Sequence, residues 1–159
     1  MKLHIISGGQ TGVDRAALDS AFALGLPYRG FVPKGRLAED GVIAAKYTNL
    51  VETVTEVYEE RTEQNVLWAD VLLIFWPDNT PISGGTCFAV DVAMEHRKPM
   101  QIVNVVSDEI DDGQVDELLK WLYAFEVDEL TINIGGPRES QYPGIYQRVF
   151  TFMNILLNK

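Results

Sequence analysis

The chain has 159 residues, 47% of them hydrophobic, a formal net charge of −10 and a single cysteine, Cys87. That length and apolar share predict one domain over residues 1–159 with a sizeable core, the acidic balance counts against duplex nucleic acid as a partner, and one cysteine excludes an intrachain disulfide or a Cys-rich metal site. With no leader-like segment and no run near the ~20 apolar residues of a membrane span, a soluble cytoplasmic protein with no membrane partner is expected.

Leu3, Ile5 and Ile6 predict a short buried strand that runs into Ser7-Gly8-Gly9-Gln10-Thr11-Gly12. The glycines let the backbone turn sharply and leave no side chain above it. A helix over Val13 to Leu24 follows, with Thr11 as N-cap and Asp14 in a capping-box position. Ala17, Leu18, Ala21 and Phe22 share one face, and Gly25 and Pro27 end it. Strand, turn and helix N-terminus aim backbone N–H groups and a positive dipole end at one point, which suits an anion. The pattern is neither a P-loop nor the full dinucleotide fingerprint.

Tyr28 to Val32 reads as a second strand, followed by the charged loop Pro33 to Gly41. Leu50 to Val57 fits an edge strand and Arg61 to Trp68 a short helix. Asp70 to Trp76 is a continuous apolar run, the mark of a central parallel strand. A second glycine turn, Ser83-Gly84-Gly85-Thr86, opens a helix with Ala89, Val90, Ala93 and Met94 toward the sheet. Its end carries His96, Arg97 and Lys98 before Pro99, cations where the dipole favours them. Met100 to Val106 is another buried strand, and Asp111 or Asp112 caps a helix with Val115, Leu118, Leu119 and Leu122 at period 3.6. Leu130 to Ile134 is the last strand. The loop Gly135 to Ser140 leads through Pro143-Gly144 to a final helix lined by Ile145, Val149, Phe152, Met153 and Leu156.

Strands alternating with helices predict a three-layer α/β/α sandwich with a mainly parallel sheet of about six strands. The expected order is 3-2-1-4-5-6, which puts the reversal between the first and fourth strands, where such folds bind ligands. The turns at Ser7 and Ser83 would then face each other across the crevice. Candidate binding residues are Ser7, Gly8, Gly9, Gln10, Thr11 and Gly12 from the first turn, and Ser83, Gly84, Gly85 and Thr86 from the second. Backbone N–H groups of Gly8 to Gly12 and Gly84 to Thr86 would hold the anion, with Lys34, Arg36 and Arg61 adding charge. Arg138 serves either this site or a subunit interface. A homo-oligomer is expected, since Trp121 and Tyr123 lie on a rather apolar helix. His4 and His96 have no partner at metal-ligand spacing, so no metal site is assigned. Trp76, at a strand end, is the one tryptophan positioned to stack on a flat ring.

The run Ser7 to Asp19 resembles the putative molybdenum carrier proteins. So do Pro33-Lys34-Gly35-Arg36 with Ala38 to Gly41, Arg61-Thr62 with Asn65-Val66, Gly84-Gly85-Thr86, and Gly135 to Ser140 with Pro143 to Tyr146. The resemblance covers nearly the whole chain. It implies a Rossmann-like fold of the group that includes the cytokinin-activating phosphoribohydrolases, once called lysine decarboxylases. It also implies a phosphate-bearing small molecule as partner, either molybdenum cofactor (molybdopterin) or a nucleotide. The enzyme cousins carry an Arg before the central strand and a Pro-Gly-Gly-x-Gly-Thr-x-x-Glu turn after it. Arg61 matches the first and Gly85-Thr86 the later Gly-Thr, but Ala89 stands at the position of the Glu. Glycosidic cleavage needs a carboxylate there, so catalysis is left open and no catalytic residue is assigned. The alternative is a nucleotide sensor or a nucleotide-processing enzyme of N-glycosidase or phosphoesterase type, using Asp14, Glu39 or Asp40.

Overall fold

The computed structural model describes residues 1–159. Its strands are β1 Lys2–Ile6, β2 Tyr28–Val32, β3 Leu37–Ala38, β4 Gly41–Val42, β5 Leu50–Glu52, β6 Val71–Trp76, β7 Met100–Asn104 and β8 Glu129–Gly135. The helices are α1 Val13–Ala23, α2 Tyr58–Trp68, α3 Gly84–Glu95, α4 Asp112–Tyr123 and α5 Ile145–Asn158. No helix is long and apolar enough to cross a membrane.

Six parallel strands form the sheet in the order β5-β2-β1-β8-β6-β7. Every residue of β6 is buried, as its continuous apolar run requires. A core of 21 buried residues, Phe75, Phe152 and Leu122 among them, joins the sheet to α1, α4 and α5. A smaller cluster of Val66, Leu72, Ile74, Ala89, Val92 and Ala93 joins the other face to α2 and α3. These are the three layers of a Rossmann-like α/β/α sandwich.

The strand order corrects the expected one. The last strand in sequence lies in the middle of the sheet, hydrogen-bonded to β1 from Lys2↔Glu129 to Ile6↔Asn133 and to β6 from Val71↔Ile132 to Ile74↔Gly135. Placing sequential strands side by side is the usual rule, and Thr131 and Asn133 interrupt the apolar run that would mark a central strand. The two glycine turns are therefore separated by the loop after β8. Cut between β5 and β6 and rejoined at its ends, the sheet would read 2-1-3-4-5-6, a doubly wound order whose switch point lies between β6 and β8.

Smaller departures have local causes. The edge strand expected from Leu50 to Val57 stops at Glu52. Beyond it the chain turns away, with Thr55 bound to Glu60. Helix α2 starts three residues earlier than expected, at Tyr58. Helix α3 buries Thr86, Ala89, Val92 and Ala93 and leaves Met94 exposed. The N-cap of α1 is Gly12 at φ 76°, not Thr11. A Cβ there would lie 2.4 Å from the Pro137 carbonyl oxygen, so the close approach of the β8–α5 loop requires glycine. Asp111 caps α4 as expected, accepting from the Gly113 amide at 2.8 Å.

Candidate ligand-binding site

The Ser7–Gly12 turn is held from inside. Ser7 is fully buried; its hydroxyl donates to the Asp14 carbonyl at 2.7 Å and accepts from the Gly9 amide at 3.2 Å. The Gln10 amide donates to Asp14 Oδ2, the Thr11 amide to Gln10 Oε1, and the Val13 amide to the Pro137 carbonyl. The amides of Gly9, Gln10, Thr11 and Val13 thus already have acceptors in the protein. The positive end of α1 is met by its own carboxylate and a neighbouring carbonyl. The first turn of α3 differs: its N-cap, Ser83, makes no side-chain capping bond. First-turn amides have no partner within their own helix, so α3 keeps its anion-binding capacity.

A short two-stranded hairpin, β3–β4, packs over the first turn. Gln10 Oε1 accepts from the Glu39 amide at 2.9 Å. Glu39 accepts from the hydroxyl of Thr11 and from the amide and hydroxyl of Ser140. Partial burial works to raise its carboxyl, but the bonds from Ser140 and Thr11 and the nearby Arg138 prevail and hold it below the usual range. Arg15 donates to the Gly9 carbonyl at 3.0 Å and to Asp40. Glu39 and Asp40 are therefore engaged in holding three loops together.

Between α2 and α3, at the carboxyl ends of β1 and β8 and beside Leu72 of β6, lies a cavity of about 160 Å³. Gly8, Gln10 and Asp14 line it from the first turn and α1; Tyr58, Arg61 and Asn65 from α2; Gly85, Thr86 and Ala89 from α3; Asn133, Gly136 and Arg138 from β8 and its loop. Arg61 is buried, and its Nη1 donates to the Gly8 carbonyl at 2.5 Å. A Cβ on Gly8 would sit 2.6 Å from that nitrogen, so this glycine makes room for the guanidinium. Asp14 Oδ2 is 3.8 Å from Arg61 Nη1. Burial pushes the Asp14 carboxyl up from its ordinary value, against the pull of Arg61 and of the Gln10 amide. The Tyr58 ring lies 5.2 Å from the Arg61 guanidinium and 5.7 Å from that of Arg138.

Of the residues expected from the sequence, Gly8, Gln10, Arg61, Gly85 and Thr86 line this cavity. Ser7, Gly9, Thr11 and Gly12 build the turn behind it. Ser83 and Gly84 open α3 beside it without lining it. Lys34 is exposed and outside it. Arg36 folds back on its own loop, donating to the carbonyls of Ile43, Ala44 and Tyr47. Trp76 is buried against Tyr142 and offers no face to a ligand. Sequence reasoning missed Tyr58 and Asn133 and left Arg138 undecided. Its one signal for Arg138 was the matched loop Gly135 to Ser140, which the assumed strand order put too far away.

Fold and site together define a Rossmann-like α/β protein with a polar cavity at its topological switch point, lined by Arg61 and Arg138 and by the carboxyls of Asp14 and Glu59. Residues 5–157 match the Circularly permutated YpsA SLOG family, and the chain belongs to it. The central position of β8 is how the permutation shows in the sheet. The crystal structure of the putative molybdenum carrier protein from Syntrophus aciditrophicus SB is 39% identical, spans 97% of this chain and 94% of its own, and superposes with a TM-score of 0.86. No match is found among curated proteins.

Proposed function

We propose that the protein is a carrier or binding protein for a phosphorylated heterocycle, molybdenum cofactor or a nucleotide, held at the cavity between α2 and α3. The carrying observation is the convergence of two guanidiniums, Arg61 and Arg138, with the uncapped N-terminus of α3 in one cavity of an acidic protein. The Syntrophus protein's name, putative molybdenum carrier protein, favours a molybdenum-bearing cargo. At about 160 Å³ the cavity is smaller than the ~300–1,000 Å³ usual for whole ligands, so it suits one end of such a molecule. The rest would lie over the mouth, beside Tyr58 and Phe88. A thermal-shift panel tests the reading with nucleoside mono-, di- and triphosphates, nucleotide sugars, molybdate, tungstate and freshly released molybdenum cofactor. At a ligand concentration ~100 times Kd, linkage adds about 2.7 kcal/mol, a shift of a few degrees. A shift with the cofactor alone supports the carrier; silence across the panel contradicts the site.

A second reading, turnover of a nucleotide, is favoured by one observation. Ala89 supplies no carboxylate, but Asp14 brings a largely buried carboxyl to the same cavity beside Arg61, with burial raising its proton affinity. Such a group suits general acid–base work. Release of free base or of phosphate from a nucleoside monophosphate panel, lost in Asp14→Asn, would support turnover. No product at high protein concentration would leave the carrier alone standing.

A further inference from the structure

The side-chain amide of Gln10 is fixed in orientation and half satisfied. Its Oε1 accepts from the Thr11 amide at 3.0 Å and the Glu39 amide at 2.9 Å, so the oxygen must face the hairpin. A flipped amide would set two N–H donors against its own NH₂. Nε2 is therefore the end of the amide that the hairpin leaves unengaged, on a residue that lines the cavity. The residue is only 6% exposed, and Nε2 has no hydrogen-bond partner. A buried donor left unpaired is destabilising. It is retained at a point where Arg61 and Arg138 line the same small space.

We propose that Gln10 Nε2 selects what binds in the cavity: an anionic phosphoryl oxygen, which accepts the orphan N–H while Arg61 and Arg138 offset its charge beside the lining carboxyls of Asp14 and Glu59. This rests on the binding reading above and adds the ligand's orientation, phosphate inward and ring at the mouth. A fixed N–H donor rejects a group that presents its own N–H or ammonium there, because two donors cannot pair. The hairpin explains why the amide cannot turn to suit another occupant. Glu39 holds its end through Thr11 and Ser140, and Asp40 through Arg15.

The test uses the full chain, with inorganic phosphate and adenosine monophosphate as probes, followed by calorimetry and by ¹H–¹⁵N correlation spectra of side-chain amides. Gln10→Glu keeps an acceptor for Thr11 and Glu39 but turns the unengaged donor into an acceptor. It is expected to retain its melting temperature within a few degrees and to bind either probe at least tenfold more weakly. In the wild type, the NH₂ pair that disappears in Gln10→Glu should shift with the binding isotherm, a readout that does not depend on the variant folding. If the wild type binds a probe while that NH₂ pair stays unmoved, or if folded Gln10→Glu binds equally well, the assignment of Gln10 is overturned and the binding reading survives. If the wild type binds neither probe, the phosphoryl assignment at Gln10 is overturned, and the binding reading falls with it only when molybdenum cofactor and the rest of the thermal-shift panel are silent too.

Discussion

The Arg61 guanidinium of α2 and the Asp14 carboxyl of α1 come within 3.8 Å of each other across the turn at Gly8. The two helices lie on opposite faces of the sheet, so the pair bridges the layers at the edge of the cavity. Removing the cation strands a buried carboxylate. Arg61→Met should destabilise the protein by about 3 kcal/mol near neutral pH. Asp14 already has a raised pKa, and losing Arg61 raises it further. A carboxyl raised in the folded state contributes stability below its unfolded value of 3.8 that is lost as pH rises through its folded value. The penalty of Arg61→Met should therefore shrink on acidification, and should be relieved in the double variant with Asp14→Asn. Denaturant melts across pH check this.

Glu39 has the opposite sign. Its carboxyl is held below its ordinary 4.5, so its contribution is full above that value and lost as pH falls through the lower folded one. Glu39→Gln should cost about 1 kcal/mol at pH 7, at the low end for bonds to a charged group because the site is open to solvent. Wild type and variant should converge in acid, as thermal melts would report.

Gly12 and Gly85 separate fold from function. A Cβ on Gly12 meets backbone at 2.4 Å, at a positive φ, so Gly12→Ala should lower stability by about 3 kcal/mol or fail to fold. Nothing lies within 4 Å of a Cβ on Gly85. Gly85→Leu should keep the melting temperature while filling the cavity mouth and abolishing ligand binding. Gly9 is a poorer probe, since its Cβ would meet Ile43 at 2.8 Å with φ at +70°.

Arg138 is half exposed at the cavity and bears little of the core. Arg138→Ala should leave stability within about 0.5 kcal/mol of wild type. Binding of a phosphate-bearing ligand should weaken roughly tenfold or more, the loss of a charge-assisted contact. Calorimetry at two salt concentrations would register both the loss and its smaller salt dependence.

The sequence made the elements legible because their periodicities are strong. The unbroken apolar run of β6, the spacing of Val115, Leu118 and Leu122, and the Ser7–Gly12 turn each report a local requirement. Topology was less legible. The position of β8 depends on which edges pair in space, and Thr131 and Asn133 made a central strand read like a peripheral one. That single misplacement pushed Arg138 away from the site. Lys34 and Arg36 misled for a different reason: charge in a loop does not reveal what it touches, and Arg36 is spent on three carbonyls of its own loop. The direction of the first turn's amides was also hidden, because Ser7, Gln10 and Asp14 are the acceptors that consume them.

The central claim is that one cavity, between α2 and α3 at the carboxyl ends of β1 and β8, holds a phosphate-bearing ligand. The most direct measurement is titration calorimetry of the wild type and of Gly85→Leu with molybdenum cofactor and with nucleoside monophosphates. One ligand class is expected to bind the wild type at one site per chain and to lose all measurable binding to the equally stable variant. Equal binding to both proteins, or no binding of any of these ligands to the wild type, would contradict it.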